Sequence, residues 1–235
     1  MTGMPDHDHI YTNEAAQYDL LISREDCRHN IMETFRKLLP NLEHLDVADI
    51  GAGTGRLSCL LAPYVQSVVA IDASQAMLDI AADKLKRTGL TNWETCVADN
   101  RRLPLPDHSV DVVTAGWTIC YSANSKVDRW NVHLETILAQ IQRILRPSGT
   151  AIIMENFGTG DEQPDPPDFL TSYFHALETE YGFSHAWIRT DYRFTSVDEA
   201  ERLSRFFFGP DIADKVSAAN LQTVPECTGV WWKRV

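Results

Sequence analysis

Residues 47–58, VADIGAGTGRLS, hold the densest chemistry in the chain. An apolar run ends at Ile50, glycines follow at 51, 53 and 55 with Ala52 between the first two, and a helical pattern opens near Gly55. Glycines let a turn be tight and let a ligand approach the backbone with no Cβ in the way. The helix that follows offers unpaired N–H groups and the positive end of its dipole. Asp72 closes the next apolar run, twenty-one residues after Gly51. In an open α/β sheet, a carboxylate there accepts both hydroxyls of a ribose. A nucleoside-containing ligand at the carboxyl end of a sheet is therefore expected. The dinucleotide fingerprint G-x-G-x-x-G fails here, because its sixth position is Arg56. Asp49, two residues before the first glycine, would repel a pyrophosphate. It suits a ligand that brings an amino group and a positive charge, which points away from a nicotinamide dinucleotide.

These residues need strands and helices to place them. From about residue 41 to 156 the chain alternates short apolar runs (44–50, 67–71, 93–97, 110–115 and 150–154) with amphipathic helical segments near 55–63, 74–88 and 126–145. Strands alternating with helices imply right-handed crossovers and a mostly parallel sheet covered on both faces. Upstream, residues 14–39 read as helical, with Ser23 and Asp26 in capping-box spacing and Pro40 as the stop. The first ten residues read as a flexible lead-in; His7 and His9 there are either solvated or metal-binding. Downstream, 157–168 reads as a long loop over the site. A helix (169–181), an aromatic strand (185–194), two short helices and a closing strand (225–234) follow, the two strands alternating as an antiparallel pair at the sheet edge would.

Residues 47–156, about half the chain, resemble a class I S-adenosylmethionine-dependent methyltransferase. The family's acid-x-Gly-x-Gly-x-Gly motif matches Asp49 to Gly55, and its second acidic position matches Asp72, continued as Asp72-x-Ser74-x-x-Met77. An acid after the third strand matches Asp99 in CVADN; LPLPDHSVDVVTA and the LRPSGT turn are also typical. The resemblance implies an α/β fold: a single doubly wound, mostly parallel seven-stranded sheet with helices on both faces and an antiparallel edge strand. It implies one domain over 1–235, with a lid segment (1–40), a cofactor-binding core (41–156) and an acceptor side (157–235). By position, Asp49 and the backbone at Gly51 and Gly53 would hold the methionine portion of S-adenosylmethionine. Asp72 would bind the ribose, Ala73 and Met77 would pack on the adenine, and Asp99 would accept from its amino group with backbone contacts from Ala98 or Asn100. Thr114, Gly116 and Trp117 would lie beneath the sulfonium. Tyr11 and Tyr18 resemble the aromatic lid of such enzymes, where a cation gains from facing rings; packing alone explains them equally. Glu155 and Asn156, after the fifth strand, are candidates to orient the acceptor, or Glu155 to act as catalytic base.

Composition narrows the acceptor. The 235 residues carry 21 Lys and Arg against 33 Asp and Glu, a formal charge of −12. That balance disfavours a nucleic-acid partner. No apolar stretch approaches the ~20 residues of a membrane helix, and MTGMPDHDHIY lacks signal-peptide features. A cytoplasmic protein is expected. The five cysteines, widely spaced, read as reduced thiols, and no metal site is expected. Where amino-methylating enzymes carry N/D-P-P-Y/F the chain reads AGWTICYS. The acceptor is expected to be a small molecule offering O, N or C, in a pocket partly walled by tail aromatics; a protein side chain or terminus is the alternative. A non-catalytic binder of S-adenosylmethionine is an alternative of another class.

Overall fold

The computed structural model describes residues 5–235. In chain order the elements are α1 (His7–Asn13), α2 (Ala15–Ile22), α3 (Asn30–Leu38), β1 (Asp46–Ile50), α4 (Arg56–Leu61), β2 (Ser67–Asp72), α5 (Gln75–Arg87), β3 (Trp93–Val97), β4 (Val110–Gly116), α6 (Trp130–Ile144), β5 (Leu145–Thr159), α7 (Asp168–Thr179), β6 (Ser184–Arg189), β7 (Tyr192–Arg193), α8 (Val197–Phe207), α9 (Pro210–Ala218), β8 (Thr223–Val224) and β9 (Glu226–Arg234).

Seven strands form one sheet in the order β3-β2-β1-β4-β5-β9-β6. β1 to β5 run parallel, β9 is antiparallel to both β5 and β6, and β6 forms the edge. The reversed strand is therefore second from the edge. Strand order reverses between β1 and β4, so successive crossovers leave in opposite directions and open a crevice at the carboxyl ends.

The period-2 alternation of the strands divides the core. Ala48, Ile50, Val113, Ala115, Ala151, Ile153 and Trp231 face a cluster shared with α6 and α7. Val47, Val112, Ile152, Met154 and Val230 face the opposite cluster with α3 and α4. Tail aromatics fill the first cluster: Trp231 stacks on Phe174 at 4.4 Å and on His185 at 4.5 Å.

Five sequence expectations shift. The lead-in is helical from His7, as α1, while residues 1–4 lie outside the described residues. The 14–39 helix is two helices, because Asp26 and His29 take left-handed φ values of 55° and 59°. Asp26 does not pair with Ser23 in a box; its carboxylate accepts from the N–H groups of Asn30 (2.8 Å) and Ile31 (3.0 Å), capping α3. The expected loop at 157 starts later, since β5 runs on to Thr159 against β9. The aromatic strand 185–194 breaks at Thr190–Asp191, and its end pairs with β8 in a separate two-stranded sheet. That ribbon, α8, α9 and Leu21 of α2 share a third apolar cluster.

No helix among the described residues is long and apolar enough to cross a membrane, and none of their His, Cys, Asp and Glu side chains gather in a group of three or more that could hold a metal. Cys27, Cys59, Cys96, Cys120 and Cys227 are free thiols. Asp26→Ala should destabilise the chain by about 1–2 kcal/mol, the cost of losing a helix cap. Urea unfolding checks this, and an unchanged midpoint would mean that α3 starts without its help.

Candidate active site

A cleft of about 570 Å³ opens at the carboxyl ends of β1, β2 and β4. Its floor is the glycine loop. Gly51 has φ +61°, and a Cβ there would lie 1.9 Å from Thr118 Oγ1, so close packing alone demands glycine. Gly55 (φ +79°) starts α4, and a Cβ would lie 2.8 Å from that of Ala81; it packs against α5 and does not line the cleft. Gly53 is different: only Met77 Cε comes near a built Cβ, and its N–H donates to Asp72 Oδ2 at 2.8 Å.

Asp72 ends β2 and also accepts from Ser74 N–H at 2.8 Å. Two donors leave a carboxylate with spare lone pairs. Asp49 is fully buried, held by Ser58 Oγ–H (2.6 Å) and Thr114 Oγ–H (3.0 Å). The register pairs Asp49 with Thr114 across β1 and β4 and puts both on the α4 face. Burial pushes the Asp49 carboxyl up to about 6 against those two hydrogen bonds. Thr114 thus holds Asp49 from behind, outside the cleft lining. Asp99, after β3, is turned toward Arg101, whose hydrogen bonds hold its carboxyl below the usual range. Ala98 N–H donates to Asp72 O (3.0 Å), and Asn100 Nδ2 donates to Thr118 Oγ1 (3.2 Å).

The roof comes from the N-terminal helices. The Tyr11 ring meets Tyr18 and Tyr121 edge to face at 5.2 and 5.6 Å, and the Tyr11 and Tyr121 hydroxyls are hydrogen-bonded. Behind them Phe207 stacks on His7 at 4.6 Å. The roof rings come from the amino-terminal side and from Tyr121. The tail aromatics expected to wall this space are not in its lining; most fill the core, and Phe207 backs the roof.

The cleft brings together Tyr11, Tyr18, Asp49, Gly51, Ala52, Gly53, Asp72, Ala73, Met77, Ala98, Asp99, Asn100, Gly116 and Trp117. It leaves out Gly55, Thr114 and Glu155. Glu155 shares strand parity with Ala151 and Ile153, so it faces the α6–α7 cluster and not the side of Asp49. There it accepts from Cys120 N–H (3.0 Å) and Tyr173 O–H (3.3 Å), and burial pushes its carboxyl up to about 7. Asn156 is committed to Thr159 and Glu226. Lining residues that the sequence does not single out include Thr54, Arg56, Thr118 and Tyr121. Arg56 stands beside the glycines, where spacing marks it only as a break in the dinucleotide motif; Tyr121 carries no motif.

Glu155 makes stability depend on pH. Folded, it holds its proton to about 7, against an ordinary value of 4.5. The folded state therefore binds the extra proton between those values, and this contribution is full below about pH 4.5 and lost as pH rises through 7. Glu155→Gln keeps an acceptor for Cys120 and cannot ionise. Relative to the parent, the variant should gain roughly 2–3 kcal/mol between about pH 5 and pH 8 in urea unfolding. A difference independent of pH would put the carboxyl back in its usual range.

The donor set fits S-adenosylmethionine on three points: the spare valences of Asp72, the open backbone at Gly53, and Thr54 Oγ1, a buried atom of the lining with no partner. The comparisons agree with that class of protein. The sequence family described as a methyltransferase domain matches residues 48–153. The ubiquinone/menaquinone biosynthesis C-methyltransferase UbiE of Pseudomonas fluorescens is 31% identical over 62% of this chain and 56% of its own. The 2-phytyl-1,4-naphtoquinone methyltransferase of Synechococcus elongatus is 33% identical over 46% of this chain and 45% of its own. The chain thus spans about half the length of the curated relatives it matches. The crystal structure of a SAM-dependent methyltransferase from Aquifex aeolicus superposes with a TM-score of 0.55 at 17% identity, covering 98% of this chain and 94% of that one, a likeness of fold. Residues 48–153 thus match a methyltransferase domain, and the strand order, the glycine loop and the acids at the ends of β1, β2 and β3 are the fold and the site that this match describes here.

Proposed function

We propose that the protein transfers a methyl group from S-adenosylmethionine to a small-molecule acceptor. The observation that carries this reading is the Asp72 carboxylate, fastened to Gly53 N–H and Ser74 N–H at the mouth of the cleft with lone pairs left for a ribose. The bound donor would supply an electrophilic methyl on a sulfonium. Asp72 would then hold the ribose hydroxyls, Ala73 and Met77 the adenine face, and Asp49 the amino end of the methionine portion through the loop it underpins. Asp99 would take the adenine amino group only by sharing its carboxylate with Arg101.

The chain's own contribution is alignment and exclusion of water. Trp117 is central to the first. It has φ +52°, an uncommon conformation for a bulky residue, and its N–H donates to Met154 O at 2.6 Å. That turn sets the floor beside the glycine loop. The tyrosine roof serves the second, and its ring faces would also attract a cation. Glu155 acts on this reading as a positioning residue: it holds the Cys120 turn under the roof residue Tyr121.

Asp72→Ala should weaken binding of S-adenosylhomocysteine by about 1–3 kcal/mol, the loss expected for a charge-assisted hydrogen-bond partner. Calorimetric titration of parent and variant measures it. Equal affinities in two folded proteins would remove Asp72 from the ligand site, and no binding by the parent would sink the donor reading itself.

A further inference from the structure

Arg56 is a cleft residue that neither the turn nor the donor half accounts for. It is the first residue of α4. Its guanidinium lies over the Trp117 ring, 3.6 Å from the centroid. Its Nη1 donates to Glu25 Oε2 at 2.6 Å, and that same oxygen accepts from Tyr192 O–H at 2.7 Å. Glu25 is itself buried, with 1% of its side chain exposed. Ring, carboxylate and tyrosine thus fix the guanidinium plane. The other edge is unused: Nη2 is sealed from solvent and has no hydrogen-bond partner.

An unfilled donor on a buried guanidinium is costly. A buried ion pair is also a poor way to gain stability, since well-packed apolar side chains do as well or better. A fold needing only to fill this space would be served by something simpler. The charges of the lining divide in a telling way. Asp49, Asp72 and Asp99 stand at the ends of β1, β2 and β3, on the donor side. Under the roof the wall is Tyr11, Tyr18, Trp117 and Tyr121, and among the described residues Arg56 is its one charge. No carboxylate or histidine among the described residues lines that half.

Resting on the donor reading above, we propose that Arg56 recognises the acceptor, and that the acceptor is a planar molecule carrying an anionic oxygen, a phenolate or a carboxylate. Nη2 donates to that oxygen, in the strong charge-assisted class of hydrogen bond. The tyrosine rings take the flat faces of the acceptor. An anion there also complements a cationic donor. An acceptor that arrives ionised asks for no general base, which accords with Glu155 facing the other side of the sheet. Glu25 is the positioning residue: it holds Nη1 and leaves Nη2 as the unpaired edge of a guanidinium that lines the cleft.

The test uses the protein saturated with S-adenosylhomocysteine and four probes titrated calorimetrically: benzoate, 4-nitrophenolate, benzamide and benzylammonium. The two anions should bind about tenfold or more tighter than the amide and the cation, the step expected for one charged hydrogen bond. Preference for one anion over the other distinguishes carboxylate from phenolate. Arg56→Gln combined with Glu25→Gln removes both buried charges together, so no unpaired ion is left to unfold the chain. This double variant should keep its affinity for S-adenosylhomocysteine and lose the preference for anions. Glu25→Asp, which keeps the counter-charge but shortens the arm that holds Nη1, should reduce that preference while leaving the amide's affinity unchanged, a split that mere loss of structure would not give. Equal binding of anion and amide by the parent, or a preference surviving in the double variant, overturns the proposal. A parent that binds no S-adenosylhomocysteine fails the donor reading instead, and this inference falls with it.

Discussion

A carboxylate taken out of water has to find N–H or O–H donors, because leaving its valences empty costs more than most packing returns. The carboxyl ends of this sheet carry several such groups, and the donors they recruit are the segments that shape the cleft. Asp72 takes Gly53 N–H and Ser74 N–H, tying the glycine loop to the start of α5. Asp49 takes Ser58 and Thr114, joining α4 to β4. Glu155 takes Cys120 N–H and Tyr173, setting the turn after β4 against α7. Glu25 takes Arg56 and Tyr192, linking the α2–α3 connection to α4 and β7. The loops are irregular, yet each is pinned by one acid. The site is shaped as a consequence of satisfying buried charge.

How much of this is legible in the sequence depends on the range of the interaction. The glycine loop, Asp72 and the strand–helix alternation are local patterns, and the sheet forms over nearly the expected segments. The break between α2 and α3 is hidden, because no proline or glycine marks residues 23–29 and two left-handed residues, Asp26 and His29, do the breaking. Glu155 lies outside the cleft lining for a geometric reason. Its position after the fifth strand is right, but adjacent residues point to opposite faces, and only the register fixes which. The Arg56–Glu25 pair, separated by thirty-one positions, leaves no trace in spacing. It exists because the turn after α2 is drawn onto the 190–193 segment, where Asp26 N–H donates to Thr190 O and Arg193 N–H donates to Arg24 O.

The division of labour across the sheet follows from the same parity. One face, under α6 and α7, is packed with large rings and buries Glu155 against Tyr173. The other holds Asp49, Arg56 and the loop that faces the cleft. On the proposed reading, donor contacts cluster on the β1–β3 side and acceptor contacts under the roof, with Trp117 at the boundary.

The roof is attached differently from everything beneath it. α1 and α2 form no strand pairing with the sheet. They are joined by Leu21, fully buried in the third apolar cluster, by ring contacts of Tyr11 with Tyr121 and of Tyr18 with Phe207, and by the ion pair from Lys84 to Asp19, whose side chains are 31% and 25% exposed. The ionic tie is screened by salt. The roof is thus held by side-chain packing, where the sheet beneath it is held by strand pairing as well. On the proposed reading, a chamber that admits two reactants and discharges two products in each cycle would exchange them past the roof while the walls that align the chemistry keep their strand pairing, so the tempo of exchange and the accuracy of alignment would be governed by separate parts of the chain.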